Sequence, residues 1–412
     1  MAKIFPFQPY RYHESAGPLD ALVTQPYDKI TPDMQARYLS QSPYNLVRVI
    51  LGERFASDNE RDNVYTRAAA FLEDWIARGI LVRETEPALF AYFQEFRVPD
   101  TGERFLRKGF IGLGAVEDYS EGVVHRHEQT LSGPKKDRLE LLRHTRGHYG
   151  QLFMVYPDPA GEIDRLLDET AAGPPLASVT DEYQTLHRLW KISDPARIAE
   201  IRRLMSDKKL LIADGHHRYE TALAFRNENP QLADARRVMM TFVNMHSPGL
   251  KILATHRLVN AVANFDAQAL IRNAGLRPIG GLAELNRLWA EPHAALIRIG
   301  VALAGIEPLH LYEAERAEGE LDIRVLHDKL LGGALGIGEE AVRDEKNIRY
   351  LRGAEQSIAE VRSGAAQAAF LLEPTSIDDV ARIAFGGGVM PQKSTDFYPK
   401  LLSGLTIYRV EK

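Results

Sequence analysis

Asp214, Gly215, His216, His217 and Arg218 stand in a row directly after the apolar run Leu210-Leu211-Ile212-Ala213. The run reads as a buried strand, and the residues from Tyr219 to Asn227 read as a helix. A strand–turn–helix of this kind wants a residue without Cβ at the turn, which Gly215 supplies. The unpaired N–H groups and positive dipole end of the new helix then face whatever occupies the turn. His216, His217 and Arg218 add donors and positive charge at the same place, which suits an anion and above all a phosphate. An Asp-Gly pair can also be a plain cap and turn, with Arg218 paired to a nearby carboxylate. Two consecutive histidines and an arginine at a strand exit serve no packing need, so the functional reading is preferred.

Other segments could contribute chemistry. His125 and His127 are two apart and share a face if extended. His127-Glu128-Gln129-Thr130-Leu131 is not a metalloprotease helix, because Leu131 stands where the second histidine belongs. Glu128 is the candidate acid/base, next to a flexible-looking loop, Ser132-Gly133-Pro134-Lys135-Lys136, and Arg138 opens a short helix over 137–144 as a further phosphate contact. Alternatively, Glu128 pairs with Arg126 or Arg138. Near the C-terminus, Gly386 to Thr395 fails as a P-loop: Gln392 stands where glycine is needed and Pro391 removes an N–H. Lys393, Ser394 and Thr395 still make a charged, hydroxyl-rich loop that could close on an anion, or one simply tied to the core by Tyr398 and Pro399. Tyr27-Asp28 and His256-Arg257 are weaker candidates for the same cleft.

The D-G-H-H-R string after a hydrophobic strand resembles the signature of the ParB/sulfiredoxin-like superfamily, and free serine kinases carry the same string. The whole chain resembles the family catalogued as domain of unknown function 1015. The resemblance rests on Gln25-Pro26-Tyr27-Asp28, on His127 to Thr130 with Asp137-Arg138, on Asp214 to Thr221, on Thr255-His256-Arg257, and on Met390 to Lys400. It implies a ParB/sulfiredoxin-like core with a mixed sheet, plus an additional C-terminal α/β part. It also implies nucleotide-dependent phosphotransfer with Mg²⁺ and ATP or ADP, onto a small hydroxyl-bearing, possibly serine-like, metabolite. In that scheme Asp214 holds Mg²⁺ or orients a histidine. Gly215, His216 and Arg218 bind phosphates with Arg138, Lys393, Ser394 and Thr395. Glu128 takes the acceptor's proton and His217 joins the catalytic set. Two departures stand out: sulfiredoxin chemistry needs a cysteine that this chain lacks, and the part from 263 onward has no counterpart in a minimal ParB-like kinase.

Composition narrows the classes. The chain has 412 residues, 45% hydrophobic and 26% charged, with a net charge of −5. That balance gives no basic face for DNA, which weighs against a ParB-type nucleotide-binding regulator. With no cysteine, disulfides, thiolate nucleophiles and Cys-ligated metals are excluded. No apolar run reaches signal-peptide or membrane-spanning length, so a cytoplasmic protein without membrane partners is expected.

The elements that must position these residues alternate between helix and strand, the pattern of an α/β or α+β protein with a mixed sheet. Helices are expected over 62–78, 137–144, 162–170, 195–206, 219–227, 321–331, 354–363 and 378–384. Strands are expected over 88–98, 104–116, 151–156, 210–213, 238–243, 251–258, 294–303, 309–312, 348–351 and 368–372. The first forty residues read as irregular with short strands. Three parts follow: 1–120 packing on the core, 121–262 as the phosphate-binding core, and 263–412 as a C-terminal α/β region with a closing loop. The expected function is phosphotransfer to a small metabolite. Phosphomonoester hydrolysis, or non-catalytic nucleotide binding of ParB type, is the alternative.

Overall fold

Leu152-Phe153-Met154-Val155-Tyr156 is apolar at every position, and such a run needs cover on both faces. In the computed structural model, which describes residues 1–128 and 132–411, it is an interior strand of a nine-stranded mixed sheet. The strands, in chain order, are β1 (Ile4–Phe5), β2 (Leu89–Arg97), β3 (Arg104–Ala115), β4 (Val124–His125), β5 (Leu152–Tyr156), β6 (Ala177–Thr180), β7 (Leu186–Ile192), β8 (Leu210–Asp214) and β9 (Arg237–Asn244). The sheet runs β4-β8-β5-β9-β3-β2-β7-β6, with β1 also on β3. The β4–β8 and β5–β9 pairs are parallel and the others antiparallel.

Helices cover this sheet and extend the unit: α1 (Pro32–Gln41), α2 (Val64–Ala77), α3 (Ser132–Thr145), α4 (Glu162–Thr170), α5 (Pro195–Met205) and α6 (His216–Glu228). Local chemistry fixes their ends. Asn63 and Thr66 form a reciprocal capping box at the start of α2, and Gly79 follows its end at φ 68°. Asp194 caps α5, with Pro195 in the first turn. Helix α3 packs against both α2 and α6.

Chain contacts divide the molecule into two units: 1–251 with 384–388 and 399–412, and 252–383 with 389–398. The three parts expected from the sequence break near 120 and 262. The difference at 120 has a physical reason: β2 and β3 lie in the same sheet as β5, β8 and β9, so the N-terminal hairpin belongs to the core. The second unit has its own six-stranded antiparallel sheet: β10 (His256–Val259), β11 (Arg277–Ile279), β12 (Leu296–Leu303), β13 (Ile306–Glu315), β14 (Ile348–Leu351) and β15 (Ala368–Leu371), in the order β11-β13-β12-β15-β10-β14.

The fold class is mixed α/β, as expected, with several local corrections. Helix α3 begins at Ser132, so the segment 132–136, read as a loop, is helical. Helix α6 begins at His216, which draws both histidines into its first turn. The strand expected over 251–258 divides into Lys251–Ile252 and His256–Val259. The helix expected over 321–331 is a short α-helix, Asp322–Val325, continuing as a π-helix over Leu326–Ala334 that contains the pair Gly332-Gly333. Helix α1 and strands β6 and β7 were not foreseen.

Candidate anion site at the end of strand β8

Strand β8 is buried through Ala213, and its pairing with β5 shifts register between Ile212 and Asp214. Such a bulge re-aims the side chain that follows it. Gly215 then turns the chain in the left-handed region, at φ 98°. A Cβ there would lie 3.0 Å from Leu152 and 3.1 Å from the Arg218 guanidinium, so both backbone and space ask for glycine. Gly215 carries no side chain to cap the first amides of α6, whose positive end opens on this turn.

Asp214 is the electrostatic centre. Arg218 Nη2 donates to its Oδ2 at 3.0 Å, and Lys400 Nζ lies 3.7 Å from its Oδ1. Burial works to raise its pKa, but the charges of Lys400, Arg218 and Lys29 outweigh it and hold the carboxyl well below the usual carboxylate range. Arg218 is fixed further by donating to the Gln151 carbonyl. Arg218 and Lys400 thus clamp the carboxylate from two sides, and the charge of Lys29, which also lies 4.0 Å from Asp28, acts on it as well.

A cavity of about 60 Å³ adjoins Arg218, lined also by Tyr27, Arg138, Leu141, Gly150 and Thr221. The Arg138 guanidinium lies 4.1 Å from the Tyr27 ring centroid and pairs with Asp137. Arg138 and Arg218, expected at one place from distant segments, both line this cavity.

The histidines divide. His127 is buried, donates from Nδ1 to the Ile212 carbonyl at 2.8 Å, and is pushed by burial down to about 4. Its backbone N–H donates to His216 Nε2 at 3.4 Å. Burial, then the neighbouring His127, pushes His216 well below the ordinary histidine range. His216 is therefore a neutral acceptor that ties the turn to the segment after β4, and does not add the positive charge expected of it. His217, on the next position of α6, is half-buried. Both ring nitrogens of His125 lie against backbone carbonyls, of Ala384 at 3.1 Å and Gly122 at 3.0 Å, so the His125/His127 spacing does not make a metal pair.

Glu128 directly follows His127 and is half-buried. Of the two arginines expected as its alternative partners, Arg126 lies 3.4 Å from Glu220 and Arg138 pairs with Asp137. Gln129, Thr130 and Leu131 of the same motif lie outside the described residues. Lys393, Ser394 and Thr395 belong to the second unit. There Lys393 sits at φ 57° with its carbonyl accepting from Arg257, and Ser394 is buried, its hydroxyl donating to the Pro391 carbonyl at 2.5 Å. His256 is also buried there, its Nδ1 accepting from the Leu372 amide.

The donor set does not build a resident metal cage. Among the described residues no three His, Asp or Glu side chains converge, and both Asp214 oxygens face cations. Mg²⁺ fits this turn only if ligand phosphates carry it in.

Lys400, and not the expected Lys393, is the lysine beside Asp214. It is held by a buried polar chain. Gln94 Nε2 donates to the Lys400 carbonyl at 2.9 Å, and Arg107, fully buried, donates to Gln94 Oε1 and to the Pro399 carbonyl. Burial draws Arg107 down to about 9. The chain continues through His187 to Asp181, which accepts from Gln25 Nε2 at 3.0 Å. Gln25, Asp214 and Lys400, each from a different sequence motif, are thereby linked in one unit.

A family model described as Protein of unknown function (DUF1015) matches residues 4–285. No curated protein matches the chain. Similar solved structures include a conserved hypothetical protein from Pyrococcus furiosus, 13% identical, covering 70% of this chain and 92% of that one, with a TM-score of 0.36. A free serine kinase in complex with AMP is 12% identical, covering 70% and 88%, with a TM-score of 0.38. SbnI with a C-terminal truncation, from Staphylococcus aureus, is 11% identical, covering 72% and 87%, with a TM-score of 0.36.

Proposed function

The chain belongs to the DUF1015 family, and from that premise we propose that it is a nucleotide-dependent phosphotransferase acting on a small hydroxyl-bearing metabolite. The observation that carries the phosphate part is the gathering of Arg218, Lys400 and Lys29 around Asp214 at the positive end of α6. Arginine and lysine donors held in place by a carboxylate suit a phosphate, which the helix amides also favour. The nucleotide part rests on the D-G-H-H-R resemblance. Phosphoryl transfer asks a protein mainly for position and charge neutralisation.

In this reading Arg218, Lys400 and Arg138 hold the phosphate oxygens, with Gly215 letting the backbone come close. Asp214 keeps the two nearest cations aimed. The acceptor hydroxyl gives its proton to Glu128 while its oxygen bonds to phosphorus, and the bond from phosphorus to the nucleotide's bridging oxygen breaks, that oxygen keeping the electron pair. His216 and His127 position the turn.

Phosphomonoester hydrolysis is the second reading, since the same Arg218 and Lys400 could hold the phosphate while water replaces the acceptor. A thermal-shift screen over inorganic phosphate, phosphoserine, AMP, ADP and ATP, each with and without Mg²⁺, tests both. Stabilisation by a nucleotide, followed by transfer of its phosphoryl group to a hydroxyl acceptor seen by phosphorus NMR, supports the kinase. Release of inorganic phosphate from phosphoserine without nucleotide supports the hydrolase. No response to any phosphate ligand counts against both.

A further inference from the structure

The backbone that carries Lys400 rests on a buried polar chain whose donors and acceptors match in only one arrangement. Tyr92 and Gln94 on β2, Arg107 on β3 and His187 on β7 are each at most 2% exposed. They belong to the first unit, as does the segment 399–412. A guanidinium has donors only, so Gln94 turns its Oε1 toward Arg107 Nε, at 2.9 Å. Its Nε2 therefore faces the other way and donates to the Lys400 carbonyl at 2.9 Å. Burial lowers the pKa of His187, so the ring is neutral, and Nε2, 3.1 Å from Asp181 Oδ2, carries its one proton. Nδ1 is then an acceptor, 2.7 Å from the Tyr92 hydroxyl and 3.3 Å from Gln94 Nε2. Having donated to the ring, the Tyr92 oxygen accepts from the Leu402 amide at 3.4 Å.

The segment 399–402 is thus held through its backbone at three points, the Pro399 carbonyl accepting from Arg107 Nη2 as the third. The lysine side chain takes no part in these three contacts, and its Nζ lies 3.7 Å from Asp214 Oδ1. On its other side the Arg107 guanidinium lies 4.6 Å from the Phe153 ring centroid, and Phe153 is the cross-strand partner of Asp214. The arginine that holds the Lys400 segment therefore also rests on the strand next to the carboxylate. Apolar side chains of similar volume often anchor a segment at no greater cost than a buried charged group. Directional bonds add what apolar packing does not, a fixed position of the lysine backbone relative to Asp214.

We propose that Gln94 and Arg107 are positioning residues: they fix where Lys400 stands against Asp214, and through it how tightly the site holds phosphate. This role rests on the phosphate reading of the site. Tyr92, His187 and Asp181 keep the Gln94 amide in its one orientation.

A double-mutant cycle with Lys400 tests this. Gln94→Glu keeps a partner for Arg107 but sets an acceptor against the Lys400 carbonyl, which must then move. Calorimetric titration with inorganic phosphate and ADP should show severalfold weaker binding, bounded by the loss of about tenfold expected when Lys400→Met removes the charge. In the Lys400→Met background the same substitution should change affinity by less than about twofold, because the residue it acts through is gone. Arg107→Lys lacks the fork that reaches both Gln94 and the Pro399 carbonyl. It should follow the same pattern, and it stands in if Gln94→Glu does not fold. Equal loss in both backgrounds would reduce the chain to a structural role and overturn the proposal, as would no loss in the presence of Lys400. If neither ligand binds the unaltered chain, the phosphate reading fails by itself. The positioning of Lys400 is then read without ligand, from urea unfolding of the same four proteins: non-additive free energies sustain it and additive ones overturn it.

Discussion

Lys400 Nζ lies 3.7 Å from Asp214 Oδ1, on the opposite oxygen from the one that Arg218 holds. The carboxylate is thus clamped between a lysine from the C-terminal segment and an arginine from α6. Lys400→Met keeps the stem and removes the charge. It should leave Arg218 paired with Asp214 and weaken phosphate binding about tenfold, while Lys400→Arg restores most of it. Titration of the two variants with inorganic phosphate or ADP checks this. Equal loss in both would mean that the lysine matters through packing and not through charge.

Gly150 and Gly215 both border Arg218. A Cβ at Gly150 would meet Arg218 Nη1 at 3.2 Å and Ser403 Oγ at 3.1 Å, with no backbone penalty. Gly150→Ala should therefore fold normally and shift the guanidinium, reducing phosphate affinity. Gly215→Ala must also adopt φ 98°, and should cost about 1–2 kcal/mol of stability. Denaturant midpoints measured beside ligand titrations separate the two effects.

The buried histidines set a pH dependence. His127 has its pKa lowered from an ordinary value of 6.5 to about 4, and His216 is lowered too. Between about pH 4 and 6.5 the unfolded chain binds more protons than the folded one, so stability is fully present above 6.5 and falls as the pH drops through that window. For His127 the loss approaches on the order of 3 kcal/mol. Asp214 acts further down: its depressed pKa contributes stability above the unfolded carboxylate value near 4, and that contribution is lost only at more acid pH. Urea unfolding from pH 7 to 4.5 should show the histidine limb. His127→Asn, whose amide can still donate to the Ile212 carbonyl, should flatten it. An unchanged slope would show that His127 is already charged in the fold.

Glu128→Gln separates proton transfer from binding. It should leave nucleotide or phosphate affinity nearly intact and lower turnover by about a hundredfold or more, as loss of a general base does. Full turnover in the variant would remove Glu128 from the mechanism and make Asp214 the next candidate.

The strand, the glycine and the helix at 210–228 were legible because each is a local signal: an apolar run, a residue free to take positive φ, a helical stretch. The hairpin of β2 and β3 was legible for the same reason. The partition of the two histidines was not. Adjacent residues on a helix point in different directions, and which one turns inward was decided by His127, two residues beyond the end of β4 and far away in sequence. Lys400 was hidden in a similar way. Nothing near it signals that the chain returns to the first unit, where Tyr408–Arg409 pairs with Gly147–His148 and Thr24 bridges to Ser403. Lys393 sits in a run of glycine, lysine and hydroxyl residues that looks like a phosphate loop, whereas Lys400 follows a proline and looks like nothing.

Whether the cations around Asp214 hold a phosphate is decided by calorimetric titration of the unaltered chain and of Arg218→Ala with inorganic phosphate and ADP. At least one of the two ligands should bind the unaltered chain, and Arg218→Ala should weaken it about ten- to a hundredfold, the worth of one charge-assisted donor. Binding by Arg218→Ala equal to that of the unaltered chain, or no binding of either ligand at millimolar concentration, would contradict it.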